Sequence, residues 1–243
     1  MENTRLKYIG VKDLGNLALP DFCPRCFWFE RHFGPFPTRF PGIFNVIDGA
    51  SKKSVTRSFL TRKKLPDWLK ISDVVRRIEL EEMGTVERIH TRKYLVAKDK
   101  DTGLILRGDP DVVFELKDGT LHIVDFKTAR YTLKQNELLP LYEVQLNGYA
   151  ILSHKKPVSK LSLVYCEPKP ELLDDINFHL AFEVRVVDIG FNRRKVFELL
   201  KKAKEILDRK TPPEPRENCR GTCFYIDKIL KRFGNNPPLK GQS

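Results

Sequence analysis

Residues 104–128 read LILRGDPDVVFELKDGTLHIVDFKT, and this stretch is the most informative part of the chain about its fold. Its two apolar runs, LILRGDPDVVFEL and TLHIVDFKT, are rich in β-branched and aromatic residues and therefore predict strands. The Lys-Asp-Gly sequence at 117–119 is a tight connection of the kind that joins antiparallel strands. Together with RKYLVAKD at residues 92–99, these runs predict a β-meander in the middle of the chain.

The last strand of this stretch predicts two charged side chains on one face. Residues two apart lie on the same face of a strand, so Asp125 and Lys127 point together. Val124 and Phe126 then face the other way, where helices can bury them. Asp111 lies on the preceding strand, and hairpin pairing is expected to bring its carboxylate near Asp125.

This arrangement favours a metal site. Two carboxylates at close range repel each other, and a divalent cation that prefers oxygen ligands turns the repulsion into binding. A neighbouring lysine can orient the attacking water and offset the charge that develops on a phosphodiester. The alternative is an exposed cross-strand ion pair, which is the usual origin of an isolated Asp-x-Lys triplet. The apolar strand that ends in the triplet and the GDPD turn before it favour the metal site.

The segments on both sides of the meander indicate an α/β protein. Apolar residues at spacings of three and four predict helices, and shorter apolar runs between turn residues predict strands. The predicted helices cover residues 11–19, 45–64, 71–83, 137–156 and 192–210, and the later predicted strands cover residues 160–168 and 178–188.

The charge of the chain indicates the class of partner. Lys and Arg outnumber Asp and Glu by 44 to 32, which gives a formal net charge of +12 and a pI near 9.5. Such a charge favours a polyanion, although ribosomal and membrane-surface proteins share it. Basic residues concentrate in residues 51–64, 192–210 and 230–234, which suit a DNA backbone.

The chain shows neither the apolar core of a signal peptide nor the run of about 18 apolar residues that a membrane span requires. We therefore expect a cytoplasmic protein that does not bind membranes. In that reducing compartment its five cysteines are expected to bind a metal or to stay free thiols, because disulfides are rare there.

Three of these segments resemble a known family. GDPDVVFEL, IVDFKTA and QLNGYA resemble the second, third and fourth motifs of RecB-like nucleases of the PD-(D/E)XK superfamily, and the resemblance covers roughly residues 90–167. It implies a restriction-endonuclease-like αβββαβ core with a mixed central sheet flanked by helices.

The resemblance also implies roles for individual residues. Asp111 and Asp125 would ligate Mg²⁺ or Mn²⁺, and the backbone carbonyl of Phe126 would complete the coordination. Lys127 would assist the attacking water. The side chains that match the helix motif and would support the site and the substrate backbone are Gln145 and Tyr149, which share a face at positions i and i+4.

One position departs from the family pattern. Family members carry a histidine in an upstream helix, often four residues after a glycine, and here the register from Gly49 leads to Lys53. The upstream metal ligand therefore stays open. Asp48, Glu79 and His90 are the alternatives, although each is also typical of a residue without a metal role.

The cysteines form two pairs at the two ends of the chain. Cys23 and Cys26 form a C-x-x-C, and Cys219 and Cys223 form a C-x-x-x-C. Four thiolates can hold a structural Zn²⁺ or an iron-sulfur cluster, provided that the chain ends meet. The alternative is that they are buried as small hydrophobic residues, as we expect for the isolated Cys166.

The resemblance adds to this interpretation. AddB-type nuclease domains and the exonucleases of CRISPR adaptation hold a [4Fe-4S] cluster with one cysteine before the core and three after it. CPRCFWF and CRGTCFY resemble the first and last of those segments, but the cysteines here are distributed two and two. A [4Fe-4S] cluster is therefore expected, with Zn²⁺ as the alternative.

These observations predict one nuclease-like domain. Cysteine-bearing segments 1–43 and 211–234 would pack together around a core of residues 44–210, followed by a flexible tail at 235–243. The predicted function is metal-dependent hydrolysis of DNA, as single strands or duplex ends, with RNA left open and with protein partners in DNA repair, CRISPR adaptation or defence. The alternatives are a catalytically weakened DNA-binding scaffold and an interaction subunit that depends on its cysteine site.

Overall fold

The computed structural model describes residues 6–35, 41–70, 86–91, 94–129, 137–172 and 180–233. The strands are β1 (Tyr8–Gly10), β2 (Val86–Thr91), β3 (Leu95–Lys98), β4 (Ile105–Gly108), β5 (Val112–Leu116), β6 (Leu121–Lys127), β7 (Val158–Leu172) and β8 (Leu180–Asp188). The helices are α1 (Val11–Asn16), α2 (Pro24–Phe33), α3 (Gly42–Arg62), α4 (Asp67–Lys70), α5 (Leu139–Leu152), α6 (Arg193–Leu207) and α7 (Thr222–Phe233).

A mixed five-stranded sheet in the order β2-β5-β6-β7-β8 forms the centre of the fold. The β5–β6 hairpin turns at Gly119, whose φ of 82° is readily available to glycine, and Thr120 accepts a hydrogen bond from the Leu116 amide at 2.9 Å. β6 and β7 run parallel, and α5 lies in the connection between them. This sheet and its helices confirm the predicted restriction-endonuclease-like fold class.

The predicted continuous strand over residues 104–116 is wrong, because the chain divides it into β4 and β5. β4 leaves the central sheet and pairs with β1 and β3 in a separate three-stranded sheet. Pro110 lies at the division and has no amide hydrogen to donate to a neighbouring strand. The predicted meander is therefore shared between two sheets, and the GDPD turn connects them.

The central sheet is covered by helices on both faces. On one face Val124 and Phe126 are buried with Val55 and Phe59 of α3, as the alternation in β6 predicts. On the other face Ile123 is buried among residues of α5 and α6. The sheet is therefore rigid where Asp125 and Lys127 emerge from it.

Several predicted helices have different bounds in the structure. The first ends at Asn16, and the second begins at Gly42, three residues earlier than predicted. The predicted helix at 71–83 lies outside the described residues. Within the described ranges, no helix combines the length and apolar content that crossing a membrane requires.

Candidate active site and metal centre

The β5–β6 hairpin brings Asp111 beside the end of β6. Val112 pairs with Val124 in the antiparallel register of β5 and β6. Asp111, one residue before Val112, therefore lies beside Asp125 and Phe126, which follow Val124. The Phe126 amide donates a hydrogen bond of 2.8 Å to Asp111 Oδ2. Strand pairing therefore holds both carboxylates at one end of the hairpin.

Asp125 and Lys127 lie together on one face, as strand alternation predicts. Lys127 Nζ is 2.5 Å from Asp125 Oδ2, and the Asp125 side chain is only 4% exposed. Gln145 of α5 contacts both residues: its Nε2 donates to Asp125 Oδ1 at 3.1 Å, and its Oε1 accepts from Lys127 Nζ at 3.2 Å. α5 therefore fixes the relative position of the carboxylate and the ammonium group.

Two tyrosines of α5 contact the side chains of Gln145 and Lys127. Gln145 Nε2 also donates to the hydroxyl of Tyr149 at 2.9 Å, and Lys127 Nζ lies 4.3 Å from the ring centroid of Tyr142. Burial, together with the charge of Asp125, raises the pKa of Tyr149, which keeps this hydroxyl protonated. The structure thus brings together every side chain that the sequence predicts for the site.

The two carboxylates lie close enough for their charges to interact, and each of them contacts one lysine. Burial and the nearby charge of Asp125 raise the pKa of Asp111 to about 6, and a lysine of α3 offsets this only in part. Asp125 Oδ2 is buried and accepts no well-directed hydrogen bond from the described residues. A divalent cation with oxygen ligands therefore fits these residues.

The upstream helix places a lysine beside Asp111, a contact that the sequence did not predict, one residue before Lys53 in the family's histidine register. Lys52 of α3 lies 2.6 Å from both Asp111 Oδ1 and Asp48 Oδ2, whereas Lys53 is exposed. Burial lowers the pKa of Lys52, but the hydrogen bonds and charges of Asp111 and Asp48 outweigh it and raise the pKa. The i,i+4 spacing of Asp48 and Lys52 was the available sequence signal for this pair.

The alternative ligands have other positions. Asp48 binds Lys52, and His90 of β2 has its Nε2 atom 2.9 Å from Glu115 Oε2 on β5. Glu79 lies outside the described residues.

A cleft of about 1080 Å³ opens beside the carboxylates and is called the α3 cleft here. Its walls include Lys52, Lys53 and Arg57 of α3 on one side and residues 109–111 of the GDPD turn on the other. Lys53 and Arg57 are exposed and one helical turn apart. The cleft therefore brings three basic side chains close to Asp111, together with the acidic side chains of Asp48 and Asp109.

The four terminal cysteines meet in a second site, called the cysteine site here. Cys23 is the N-cap of α2 and Cys26 lies in its first turn, whereas Cys219 precedes α7 and Cys223 lies in the first turn of α7. Their Sγ atoms lie within 4.8 Å of one another, with separations of 3.7 Å for Cys23–Cys223, 3.5 Å for Cys26–Cys219 and 3.4 Å for Cys219–Cys223. Among the described residues, this is the one group of three or more histidine, cysteine or carboxylate ligands that close together.

Backbone amides point at these sulfur atoms. Arg216 donates to Cys23 Sγ at 3.4 Å and Gly221 donates to Cys219 Sγ at 3.3 Å. Burial raises the pKa of Cys23, but its hydrogen bonds outweigh burial and bring the pKa down to about 7. A side chain at Gly221 would place Cβ 3.0 Å from Cys26 Sγ, so the glycine leaves the room that the site needs.

Burial also raises the pKa of two of these thiols. It raises the pKa of Cys26 to about 12 and raises that of Cys223 as well. Four sulfur atoms within 4.8 Å of one another fit a cation that they bind as thiolates. Cys166, in contrast, lies alone on β7 among apolar residues, as predicted.

The two ends of the chain also pack together around the cysteine site. Arg25 Nε donates a hydrogen bond of 2.8 Å to the Pro213 carbonyl, and Trp28 Nε1 donates one of 3.0 Å to the Arg209 carbonyl. The division into terminal segments and core stays a prediction.

Comparisons with known proteins agree with the fold. The sequence profile of the PD-(D/E)XK nuclease superfamily matches residues 23–227. A candidate exonuclease from Eubacterium rectale is similar in structure, with a TM-score of 0.51, 14% identity, and coverage of 99% of this chain and 92% of that one. An alkaline exonuclease from Laribacter hongkongensis has a TM-score of 0.43, 12% identity, and coverage of 96% and 95%, respectively.

Among curated proteins, none matches the sequence. The profile match extends over both cysteine pairs, the carboxylate pair and the α5 side chains, and it spans most of the chain. The chain therefore belongs to the PD-(D/E)XK nuclease superfamily.

Proposed function

We propose that this protein is a metal-dependent deoxyribonuclease that hydrolyses phosphodiester bonds at the carboxylate pair. The observation that carries the proposal is Asp111 beside the buried Asp125, with Lys127 2.5 Å from Asp125 and with Lys53 and Arg57 in the cleft that Asp111 lines. A surface ion pair would leave both side chains in solvent, whereas the Asp125 side chain is 4% exposed and that of Lys127 14%.

Asp111 and Asp125 would hold Mg²⁺ or Mn²⁺, together with the carbonyl of Phe126. When bound, such a cation polarises the phosphoryl group and makes water a better nucleophile at neutral pH. The Phe126 amide orients Asp111 through its 2.8 Å hydrogen bond, and this keeps one carboxylate oxygen aimed away from the backbone.

Lys127 would orient the attacking water. Gln145 accepts a hydrogen bond from its ammonium group, and the Tyr142 ring lies beneath it, so the side chain has little freedom. A fixed ammonium group also stabilises the negative charge that develops on the phosphate oxygens. Gln145 and Tyr149 act as positioning residues because they hold Asp125 and Lys127 without facing the cleft.

DNA is the proposed substrate because of the charge of the protein and the lining of the cleft. Lys53 and Arg57 can bind successive phosphates beside the carboxylates. The net charge of +12 supports a polyanionic substrate. Incubation with RNA of the same sequence tests the sugar preference.

The cysteine site is proposed to hold a single Zn²⁺ ion. Four thiolates at about 2.3 Å from one tetrahedral Zn²⁺ lie about 3.8 Å apart. Three of the six separations here are 3.4–3.7 Å, and all six are within 4.8 Å. Each thiolate of a [4Fe-4S] cluster binds a different iron atom, so its sulfur atoms surround a larger body. Equimolar zinc in the purified protein supports the proposal, and absorbance near 400 nm with stoichiometric iron supports the cluster instead.

Cleavage assays of the whole chain test the proposed reaction. Purified protein is incubated with single-stranded DNA, duplex DNA and RNA in the presence of Mn²⁺, beside Asp125→Ala and Lys127→Ala. We expect each substitution to lower the cleavage rate by about 10³-fold. The exposed residues Asp101 and Lys117 provide matched controls, and Asp101→Ala and Lys117→Ala should cleave like the wild type.

The outcomes separate the alternatives. A wild type that binds DNA but leaves every substrate intact supports the catalytically weakened scaffold, a function that the lysine at the upstream ligand position favours. Cleavage that survives both active-site substitutions shows that the reaction occurs elsewhere.

A further inference from the structure

The ammonium group of Lys52 lies in the α3 cleft. Lys52 Nζ lies 2.6 Å from Asp111 Oδ1 and 2.6 Å from Asp48 Oδ2, and its side chain is 28% exposed. Asp48 and Lys52 are one turn apart on α3, so the helix holds the ammonium group at the carboxylate pair. Lys52 is therefore the point at which the cleft and the carboxylate pair meet.

This contact competes with a metal ion. Asp111 Oδ1 binds Lys52 and Asp111 Oδ2 accepts from the Phe126 amide, so both oxygens of this ligand are engaged. An ammonium group only donates hydrogen bonds and cannot ligate a cation. A divalent cation at Asp111 thus meets a positive charge within a few ångströms, which weakens its binding.

A substrate phosphate in the α3 cleft is a second kind of partner for the ammonium group of Lys52. Lys53 and Arg57 line the same cleft and are exposed, so a phosphate backbone that binds them passes the exposed part of Lys52. A phosphate oxygen binds an ammonium group as a carboxylate oxygen does. Asp48 can keep its contact while the Asp111 contact is exchanged.

We propose that Lys52 exchanges Asp111 for a substrate phosphate, so that metal binding at the carboxylate pair depends on bound nucleic acid. This inference rests on the proposed function of the same site. In the free protein Lys52 holds Asp111 and keeps metal affinity low. With a nucleic-acid strand in the cleft, Lys52 binds the phosphate and releases Asp111 to the metal. Because coupling between two ligands is reciprocal, Mn²⁺ raises the affinity for the strand by the same factor.

Calorimetric titration of the full chain with Mn²⁺ tests the exchange without measuring cleavage. The titration is made with and without a phosphorothioate oligothymidylate that resists hydrolysis, and an Asp125→Asn protein provides the blank for other Mn²⁺ sites. The wild type should bind Mn²⁺ about tenfold more tightly when the oligonucleotide is present. Lys52→Met should bind Mn²⁺ about tenfold more tightly than the wild type when it is absent, and should gain less than about threefold from it.

Lys117→Met is the control, because it removes the same charge at an exposed residue of the β5–β6 turn that does not line the cleft. It should keep the wild-type Mn²⁺ affinity and most of the dependence on the oligonucleotide. Lys52→Gln gives a second variant in case Lys52→Met does not fold. If a folded Lys52 variant keeps both the wild-type affinity and the wild-type dependence, the exchange does not occur.

The two proposals fail in different ways. A wild type that cleaves DNA, beside a Lys52 variant with unchanged Mn²⁺ binding, overturns only the exchange. A wild type whose Mn²⁺ affinity depends on the oligonucleotide but which cleaves no substrate overturns the nuclease function. A wild type that binds no Mn²⁺ at Asp125 overturns both.

Discussion

The carboxylate site and the cysteine site are built in opposite ways. Asp111, Asp125, Lys127 and Gln145 come from one hairpin and the helix that follows it, within residues 111–145. The cysteines come from the two ends of the chain, and the contact between Cys23 and Cys223 joins residues 200 positions apart. One site is a product of local geometry, and the other exists only when the whole chain has folded.

This difference predicts different roles for the two sites. The carboxylate pair concentrates like charge in a buried place, which costs stability and is typical of sites that perform chemistry. The thiols close the chain ends across the fold, and a metal bound there contributes directly to stability. Substitutions in the two sites should therefore separate stability from activity.

The largest expected effect is on stability at the cysteine site. Cys223→Ala removes a buried ligand, and we expect it to lower the free energy of unfolding by more than about 3 kcal/mol. Urea unfolding with and without a zinc chelator measures this. The wild type should lose stability to the chelator, whereas Cys223→Ala should not respond to it.

Cys166→Ala is the matched control for this prediction. Cys166 is buried on β7, and Ser51 Oγ lies 3.9 Å from its sulfur atom. Its replacement should cost about 1 kcal/mol and leave the response to the chelator intact. If the chelator changes the stability of the wild type and of Cys223→Ala equally, the cysteine site does not stabilise the protein through a bound metal.

We expect acid to lower the stability of the protein by protonating His122, which is buried on β6 of the central sheet. Burial, with the charge of Lys160, lowers the pKa of His122 to about 4. An unfolded chain protonates histidine near about 6.5, so the stabilisation is complete above that pH and is lost as the pH falls towards 4. This loss amounts to about 3 kcal/mol.

Urea unfolding between pH 7 and pH 4 of wild type and His122→Gln measures this contribution. The variant should lose less stability over this interval, and His154→Gln, at an exposed histidine, should follow the wild type. If His122→Gln keeps the full wild-type slope, acid acts elsewhere, and proton uptake by the cysteine site becomes the explanation to examine.

A smaller effect is expected where the carboxylate site depends on close packing. A Cβ at Gly108 would lie 2.6 Å from Tyr149 Cε1 and 3.0 Å from Val11 Cγ2. Gly108→Ala should therefore cost about 2 kcal/mol. Displacement of Tyr149 should also disturb Gln145 and lower cleavage by about tenfold.

Thermal unfolding and cleavage assays measure both consequences. Gly190→Ala is the control, because a Cβ there meets no atom within 4 Å. Loss of stability in Gly108→Ala with cleavage unchanged would show that Tyr149 does not position the carboxylate site.

Much of the carboxylate site could be predicted because its geometry is periodic. Strand alternation places Asp125 beside Lys127, and helical spacing places Gln145 beside Tyr149. The contact of Lys52 with Asp111 was not predicted. α3 carries lysines at both 52 and 53, and the sequence does not show which one the packing of Val55 and Phe59 turns towards Asp111.

The division of the predicted meander was also not predictable from local pattern. Residues 104–116 are apolar on both sides of the GDPD turn, so their propensity for strand is the same. Pairing with β1, which lies almost a hundred residues earlier in the chain, draws β4 into the second sheet.

Local sequence pattern was sufficient to predict β6, the side-chain faces of β6 and α5, and the presence of two cysteine pairs, because backbone periodicity and residue chemistry operate over a few residues. Only the tertiary structure decided that Lys52 binds Asp111 and that the four sulfur atoms close to within 4.8 Å. Contacts between distant segments depend on how whole helices pack against the sheet, and many distant side chains contribute to that packing at once.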